Sequence, residues 1–330
     1  MLTRTLLLTA CLAACGGDDQ VHHLADAPIP PAARGIYITL PGNAIAVFPL
    51  EAKGDVAPLR TISGNMTGLN LPLGIDVEPV TGNLFVANRR GGTVTVYNPM
   101  TSGNVAPLAT LTAMGMGSPE AVAFAPSGEL WVSTCPGCGA SNGGDSGLWH
   151  FPAGSTTSDR RLGGTSNANT MFTVPGSLWL DPDTGELVVG NSFGGNVSIW
   201  DPSASGDVAP SRSFSPGSIN LQSLAVAGST IFVTAGVSSS IVQMFSTSST
   251  GTPTPATLGS GNGLSVQYPG GIAVDGSENP PVIYLADYMG NAIDVIHLSG
   301  DAPGYKVASV DVISGPTTGL VMPIGVRLIK

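Results

Sequence analysis

Four oxygen-bearing side chains are the clearest candidates for a chemical site in this sequence of 330 residues. Asn88, Asn191 and Asp287 each end a short apolar segment, and Glu120 stands at the start of another. Carboxylate and amide oxygens are the ligands that hard cations such as Ca²⁺ prefer in proteins. If the fold arranges these segments around one axis, the four residues are candidate ligands of one Ca²⁺ ion. The alternative is that they shape the turns beside their strands through local hydrogen bonds to the backbone.

Two cysteines, Cys135 and Cys138, lie in the long segment Ser133–Gly147. Two thiols cannot by themselves form a structural zinc site, which takes four ligands. A redox-active pair needs a setting that stabilises a thiolate, such as a helix N-terminus, and the sequence predicts no helix in this segment. We therefore expect a local disulfide in an exported protein, with reduced or otherwise bound thiols as the alternative. No Ser-His-Asp arrangement emerges by position, so catalytic residues stay unassigned.

The first residues carry an export signal, in which one positive charge precedes an apolar stretch too short to be a stable anchor. The stretch ends in Leu12-Ala-Ala-Cys15, which resembles the lipobox of bacterial lipoproteins. The resemblance implies that residues 1–14 are a signal peptide and that Cys15 becomes lipidated after cleavage. Residues 15–34 are polar and rich in Pro and Ala, which is typical of a flexible tether.

Composition narrows the fold class and the partners. The 45 Gly and 27 Pro, with many Val, Thr and Ser, favour short strands joined by tight turns, and hence an all-β protein. Nucleic acid is not an expected partner, because the chain has only 12 Lys and Arg and its net charge is −10.

No apolar run after the N-terminus reaches the roughly 18 residues of a membrane helix, so we expect membrane contact through lipid alone. Gly17 rather than Asp stands at the second position after the modified cysteine, which favours the outer membrane or cell surface.

Internal repeats show how the candidate residues come together. Six short apolar segments of similar pattern begin at Pro72, Pro119, Pro175, Leu221, Pro269 and Pro323. A second strand, a glycine-bearing turn and a third strand follow several of these segments. A fourth segment is introduced in three copies by Gly-Asp-Val-Ala-Pro or Gly-Asn-Val-Ala-Pro. Four short strands in each repeat indicate the blades of a β-propeller.

The two ends of the domain complete one blade. The segment from Pro323 matches a first strand with nothing after it, and the segment from Gly35 matches second and third strands with no first strand before them. We therefore expect the C-terminal strand to close the ring and remove its unpaired edges. The sequence predicts a propeller of six four-stranded blades over residues 35–330. Seven blades are the alternative, because the long spacing between Pro119 and Pro175 could conceal an irregularity.

This closure makes Asp76 of the second blade and Arg327 of the first blade neighbours near the axis. We predict an ion pair between them that locks the closed ring. Recognition of an acidic ligand by Arg327 is the alternative.

The segment from Gly82 to Tyr97, together with Asn104-Val-Ala-Pro-Leu108, resembles the NHL-repeat family. That resemblance implies a propeller and says little about function, because propellers carry binding, scaffolding and enzymatic activities. We favour a non-enzymatic, surface-anchored propeller that binds or scaffolds a protein or glycan of the bacterial cell envelope.

The alternative is a divalent-cation-dependent hydrolase or lyase similar to the six-bladed gluconolactonases. In that family a Glu at the start of a first strand, an Asn and an Asp hold the metal, and Glu120 occupies a comparable position. The family's Pro-Asn-Gly segment and Asp-Gly pair are not found at matching places in this sequence.

Overall fold

The computed structural model describes residues 31–113, 115–135, 146–164, 167–192, 194–217, 220–236, 240–259 and 264–330. Within these ranges lie six antiparallel sheets of four strands and one short 3-10 helix, Pro31–Ala33. None of the helical residues in these ranges forms a segment long and apolar enough to cross a membrane. The predicted signal peptide and Cys15 lie outside the described residues.

Each sheet is one blade, and its strands follow one another from the axis to the perimeter. Blade 1 consists of β24 (Val326–Ile329), β1 (Gly35–Leu40), β2 (Ala44–Phe48) and β3 (Arg60–Ser63). Blade 2 consists of β4 (Pro72–Val77), β5 (Leu84–Asn88), β6 (Thr93–Tyr97) and β7 (Ala109–Leu111). Blade 3 consists of β8 (Ser118–Phe124), β9 (Leu130–Cys135), β10 (Gly147–Phe151) and β11 (Arg160–Leu162).

The other three blades repeat this order. Blade 4 consists of β12 (Pro175–Leu180), β13 (Leu187–Asn191), β14 (Asn196–Trp200) and β15 (Arg212–Phe214). Blade 5 consists of β16 (Leu221–Ala227), β17 (Thr230–Ala235), β18 (Ser240–Ser246) and β19 (Ala256–Gly259). Blade 6 consists of β20 (Pro269–Asp275), β21 (Val282–Asp287), β22 (Ala292–Ser299) and β23 (Lys306–Ile313). The fold is a six-bladed β-propeller, and the seven-bladed alternative is wrong.

The core consists of six apolar clusters, and each cluster fills the interface between two neighbouring blades. Because a middle strand has a neighbouring blade on both of its faces, all residues of β1, β9, β17 and β21 are buried. Such strands read as continuous apolar runs, whereas the outer strand β23 has mostly exposed and half-buried residues before the buried Ile313. Trp131 and Trp200 are the largest fully buried side chains.

The ring closes as the sequence predicts, because β24 pairs with β1 in antiparallel register, with Gly35 opposite Ile329. Thr39 joins the closed blade to the next one, since its hydroxyl donates to Leu73 O over 2.7 Å and accepts from Gly325 N over 2.8 Å. A Cβ atom at Gly325 would collide with Leu73 O, so glycine is needed where these two inner strands touch.

The three Gly-(Asp/Asn)-Val-Ala-Pro segments connect blades 1, 2 and 4 each to the blade before it. In blade 1, Gly54 forms a parallel bridge with Ile313 of blade 6, and Asp55 Oδ1 accepts from Thr317 N over 2.7 Å. Asn104 Oδ1 accepts from Met66 N, and Asp207 Oδ1 accepts from Thr170 N, in the corresponding places of blades 2 and 4. The motif therefore connects neighbouring blades through hydrogen bonds, in addition to preceding the outer strand in the sequence.

Candidate functional site

A central cavity of about 1190 Å³ runs along the propeller axis between the six inner strands. One end, which we call the mouth, lies where the inner strands begin, and it carries Arg89, Arg90, Tyr268, Tyr288 and Met289. The other end, which we call the floor, lies where the inner strands end, and it carries Asp76, Asp275, Arg327 and Lys330. Concave sites of this size with a few polar groups are the usual places where proteins bind ligands.

Two tyrosines form an aromatic edge on the blade 6 side of the mouth. The rings of Tyr268 and Tyr288 lie edge to face with centroids 6.1 Å apart, and Tyr288 N donates to Tyr268 O over 2.9 Å. Asp287 fixes Tyr268 and the turn that follows Tyr288, because its carboxylate accepts from the backbone of Gln267, Tyr268 and Gly290. The adjacent Met289 side chain is 57% exposed, so an apolar surface faces solvent beside the tyrosines.

Two arginines lie on the blade 2 side of the mouth and differ in their contacts. Arg89 Nε lies 2.7 Å from Glu120 Oε1, in an ion pair whose carboxylate is 5% exposed. Burial raises the pKa of Glu120, although the charge of Arg89 and its hydrogen bond act in the opposite direction. Arg90 is exposed, and none of the contacts between described residues uses its guanidinium. Arg90 is thus a cation available to a partner.

The four candidate calcium ligands each use their oxygens within the fold. Asn88 Oδ1 accepts from Asn70 N over 3.0 Å, and Asn191 Oδ1 accepts from Thr173 N over 3.3 Å. Asp287 accepts the three backbone bonds given above, and Glu120 faces Arg89. These are the contacts that the turn interpretation predicts for the Asn and Asp residues.

Within the part of the chain that the structure describes, no group of three or more His, Cys, Asp or Glu side chains could hold a metal. Asn88 and Asn191 are amides and stand outside such groups, so the calcium site formed by the four candidate residues stays a prediction.

The floor carries two pairs of opposite charge. Arg327 Nε lies 2.8 Å from Asp76 Oδ1, and Asp76 also accepts from Val77 N over 2.7 Å and from Phe124 N over 2.9 Å. Asp76 thereby joins blades 1, 2 and 3 at one point. Its role as a lock of the closed ring stays a prediction that a stability measurement can test.

The second pair at the floor joins Lys330 Nζ to Asp275 Oδ2, and the Asp275 carboxylate also accepts from Ser277. Burial raises the pKa of Asp275, but the hydrogen bonds from Lys330 and Ser277 outweigh it, so the net pKa lies below the ordinary value. Every carboxylate named at the floor therefore has a cationic partner.

Cys135 is the last residue of β9 and is buried. Cys138 lies outside the described residues, so the disulfide between them stays a prediction.

Comparisons with known proteins support the fold and leave the function open. No family model matches the chain, and no curated protein matches it. A structure titled "Crystal structure of Nidogen/Laminin Complex" is 14% identical with a TM-score of 0.62, covering 88% of this chain and 97% of that one. A functionally unknown protein from Desulfotomaculum acetoxidans DSM 771 is 12% identical with a TM-score of 0.53, covering 87% and 84%. Kuenenia stuttgartiensis hydrazine synthase is 14% identical with a TM-score of 0.50, covering 78% and 91%.

These similarities show the fold alone, because unrelated activities share propellers.

One site residue, Asp294, was missed by the sequence reasoning. It occupies the place on the third strand of blade 6 that Thr95 holds in blade 2 and Ser198 holds in blade 4. In blade 2 the amide of Asn88 donates to Thr95 Oγ1 over 2.9 Å. Blade 6 has carboxyl groups at both places, Asp287 and Asp294, seven residues apart. That spacing, which recurs as Asn with Thr or Ser, is the signal that could have identified it.

The environment of Asp294 disfavours its charged form. The residue is 6% exposed, and its Oδ2 has no hydrogen-bond partner among the described residues. Burial, and secondarily the charge of Asp287, raises the pKa of Asp294 to about 7. An acid that titrates near neutral pH therefore lies close to the carboxylate that positions the mouth tyrosines.

Proposed function

We propose that the protein is an exported, lipid-anchored propeller of the NHL-repeat type whose mouth binds a protein or glycan of the bacterial cell envelope. One observation carries this proposal: the mouth combines unpaired Arg90, the edge formed by Tyr268 and Tyr288, and exposed Met289 at the opening of a cavity. Tyrosine and arginine dominate the energetics of protein interfaces, and aromatic rings offer broad apolar faces.

The predicted lipid on Cys15 would hold the propeller close to a membrane. Residues 32 and 33 support such an arrangement at the domain boundary, because both contact blade 1. Arg60 donates to Ala32 O over 2.9 Å, and the Tyr37 hydroxyl donates to Ala33 O over 2.6 Å. The tether would thus begin at a defined point of the propeller.

Site-specific photocrosslinking tests the binding face. A photoreactive phenylalanine analogue at Tyr288 in the full-length lipoprotein should crosslink to an envelope protein in intact cells, or retain the protein on purified sacculi if the partner is a glycan. The same analogue at Leu108, which is 64% exposed on the perimeter, is the matched control. Equal products from the two positions, or none from either, would contradict the proposal.

Membrane fractionation tests the anchor independently. Cys15→Ser should abolish incorporation of labelled palmitate and release the protein from the membrane fraction. Cys11→Ser, which removes a cysteine from the predicted signal peptide, should leave both unchanged. Palmitate incorporation by the Cys15→Ser variant would show that the lipid is attached elsewhere or that the lipobox interpretation is wrong.

A further inference from the structure

The inner strands place six equivalent residues at one level of the central cavity. In each blade, the inner-strand residue at this level lies opposite a residue of the second strand. The residue just before that partner in the second strand is a buried Leu or Ile in all six blades. The six residues are Asp76, Ala123, Trp179, Ala225, Ala273 and Arg327. Three of them are alanine, so only three large side chains bound the cavity at this level. The space that remains is shaped by one indole, one guanidinium and one carboxylate.

Arg327 has hydrogen-bonding capacity left for a ligand. Its side chain is 45% exposed, and Asp76 contacts it through Nε, the inner nitrogen of the guanidinium. No hydrogen bond between described residues uses its two terminal Nη groups. These two groups form the fork that binds a carboxylate through parallel hydrogen bonds. Asp76, which Val77 N and Phe124 N hold in place, fixes the orientation of that fork.

Trp179 lies on the opposite side of the cavity from Arg327. The inner strands contact one another in ring order, so blade 4, which carries Trp179, faces blade 1, which carries Arg327, across the axis of a six-bladed ring. Trp179 lines the cavity and is partly exposed. No hydrogen bond between described residues uses its Nε1. The indole therefore offers an apolar ring and a free donor to the cavity.

We propose that this level of the cavity is a binding site for a small cyclic monocarboxylate, with the carboxylate on Arg327 and the ring on Trp179. A single negative charge is favoured, because Asp76 lies 2.8 Å from Arg327 and would repel a phosphate dianion. The site is separate from the mouth, so the proposal does not depend on the proposed partner. The ring is either aromatic or a sugar ring, since both pack on indole.

Calorimetric titration of the full propeller with two probes tests the proposal. Indole-3-acetate represents aromatic acids and glucuronate represents sugar acids. Saturable binding of either acid supports the site, and the acid that binds shows which of the two classes of ligand the site accepts. The uncharged amide of the binding probe should bind at least tenfold more weakly, because it lacks the charge that Arg327 recognises.

Arg327→Gln and Trp179→Leu should each weaken binding of the acid at least tenfold. Arg212→Gln and Trp149→Leu are matched controls, because Arg212 is also ion-paired and Trp149 is also partly buried, yet neither lines the cavity. Arg327→Lys keeps the positive charge and removes the fork, so it should fold and still bind more weakly.

Three outcomes would overturn the proposal: no saturable binding of either acid up to about 10 mM, equal binding of acid and amide, or unchanged binding by folded Arg327→Gln. Loss of crosslinking at Tyr288 with acid binding intact would contradict the proposed function and leave this site standing. The reverse result would contradict this site alone.

Discussion

The propeller places buried aspartates in opposite environments toward its two ends. At the floor, Asp275 and Asp76 each contact a cation, and the hydrogen bonds to Asp275 lower its pKa. Beneath the mouth, in the same blade as Asp275, Asp294 is buried with an unpartnered oxygen, and its pKa is raised to about 7. The same residue type thus stabilises one end of blade 6 and, at alkaline pH, destabilises the other.

We infer that contacts at the floor stabilise the propeller, whereas several side chains at the mouth have no partner within the protein. The floor carries ion pairs from the C-terminal segment of blade 1 to the inner strands of blades 2 and 6. The mouth carries an unpaired arginine, exposed Met289 and the pair of tyrosines beside Asp287. Surfaces that bind macromolecular partners leave donors and apolar groups unsatisfied until binding, and the mouth has these features, as the proposed envelope partner requires.

The largest expected effect is at Asp294. Its pKa in the folded protein is about 7 against an ordinary value of 3.8, so the folded state binds its proton more tightly than the unfolded state. Stability is then fully present below about pH 4 and declines as pH rises to 7. At about 1.4 kcal/mol for each pKa unit, the decline is roughly 4 kcal/mol. Asp294→Asn should remove this decline and melt several degrees above the native protein at pH 8.

Thermal melting at pH 5 and pH 8 checks this expectation, with exposed Asp301→Asn as the control of equal charge change. If the native protein and Asp294→Asn lose stability equally between the two pH values, the contrast between the ends of blade 6 is wrong.

The second effect is at Asp76. Asp76→Ala removes the acceptor of Val77 N and Phe124 N and the partner of Arg327. Leaving buried donors and a partly buried cation without partners costs about 3 kcal/mol, which lowers the melting temperature by about 5–10 °C. Calorimetry of the folded variant measures the change. A shift below about 2 °C would show that this contact does not lock the ring.

The third effect is smaller and opposite in its pH dependence. Lys330 is 39% exposed, so solvent screens its pair with Asp275 and Lys330→Met should cost at most about 1 kcal/mol. Because the pKa of Asp275 is lowered, this stabilisation is present at neutral pH and disappears as pH falls through the folded pKa. Urea unfolding at pH 7 and pH 3 measures it, with exposed Lys53→Met as the control. A difference that persists at pH 3 would contradict the assignment.

The smallest effect on stability is expected at the mouth. Tyr288→Ala removes a half-buried ring whose described ring contact is with Tyr268, and it should change the free energy of unfolding by less than about 1 kcal/mol. The same change should abolish retention of the protein by its envelope partner. A large loss of stability in this variant would place Tyr288 with the structural residues, and the distinction between mouth and floor would fail.

The repeat pattern predicted most of the fold, because each blade encodes its own strands through local apolar runs and glycine turns. The prediction failed in detail at the last strand, which pairs from Val326 and not from Pro323. Just before this strand, Ile324 bonds to two blades: its N donates to Thr39 O of blade 1, and its O accepts from Gly271 N of blade 6. No local pattern reveals such contacts, because both partners are distant in the chain.

The sequence alone determined the all-β class, the six blades and the closure by the C-terminal strand, since these follow from local periodicity and from the matching of the two ends. Tertiary structure alone decided which of the polar residues remain available. The oxygens of Asn88, Asn191 and Asp287 accept from backbone amides near their own strands, which are contacts that the sequence offered only as an alternative to a calcium site. Asp294 looked ordinary until its burial was known. Hydrogen-bond satisfaction and desolvation depend on what surrounds a group in space, and neither is written in the order of residues.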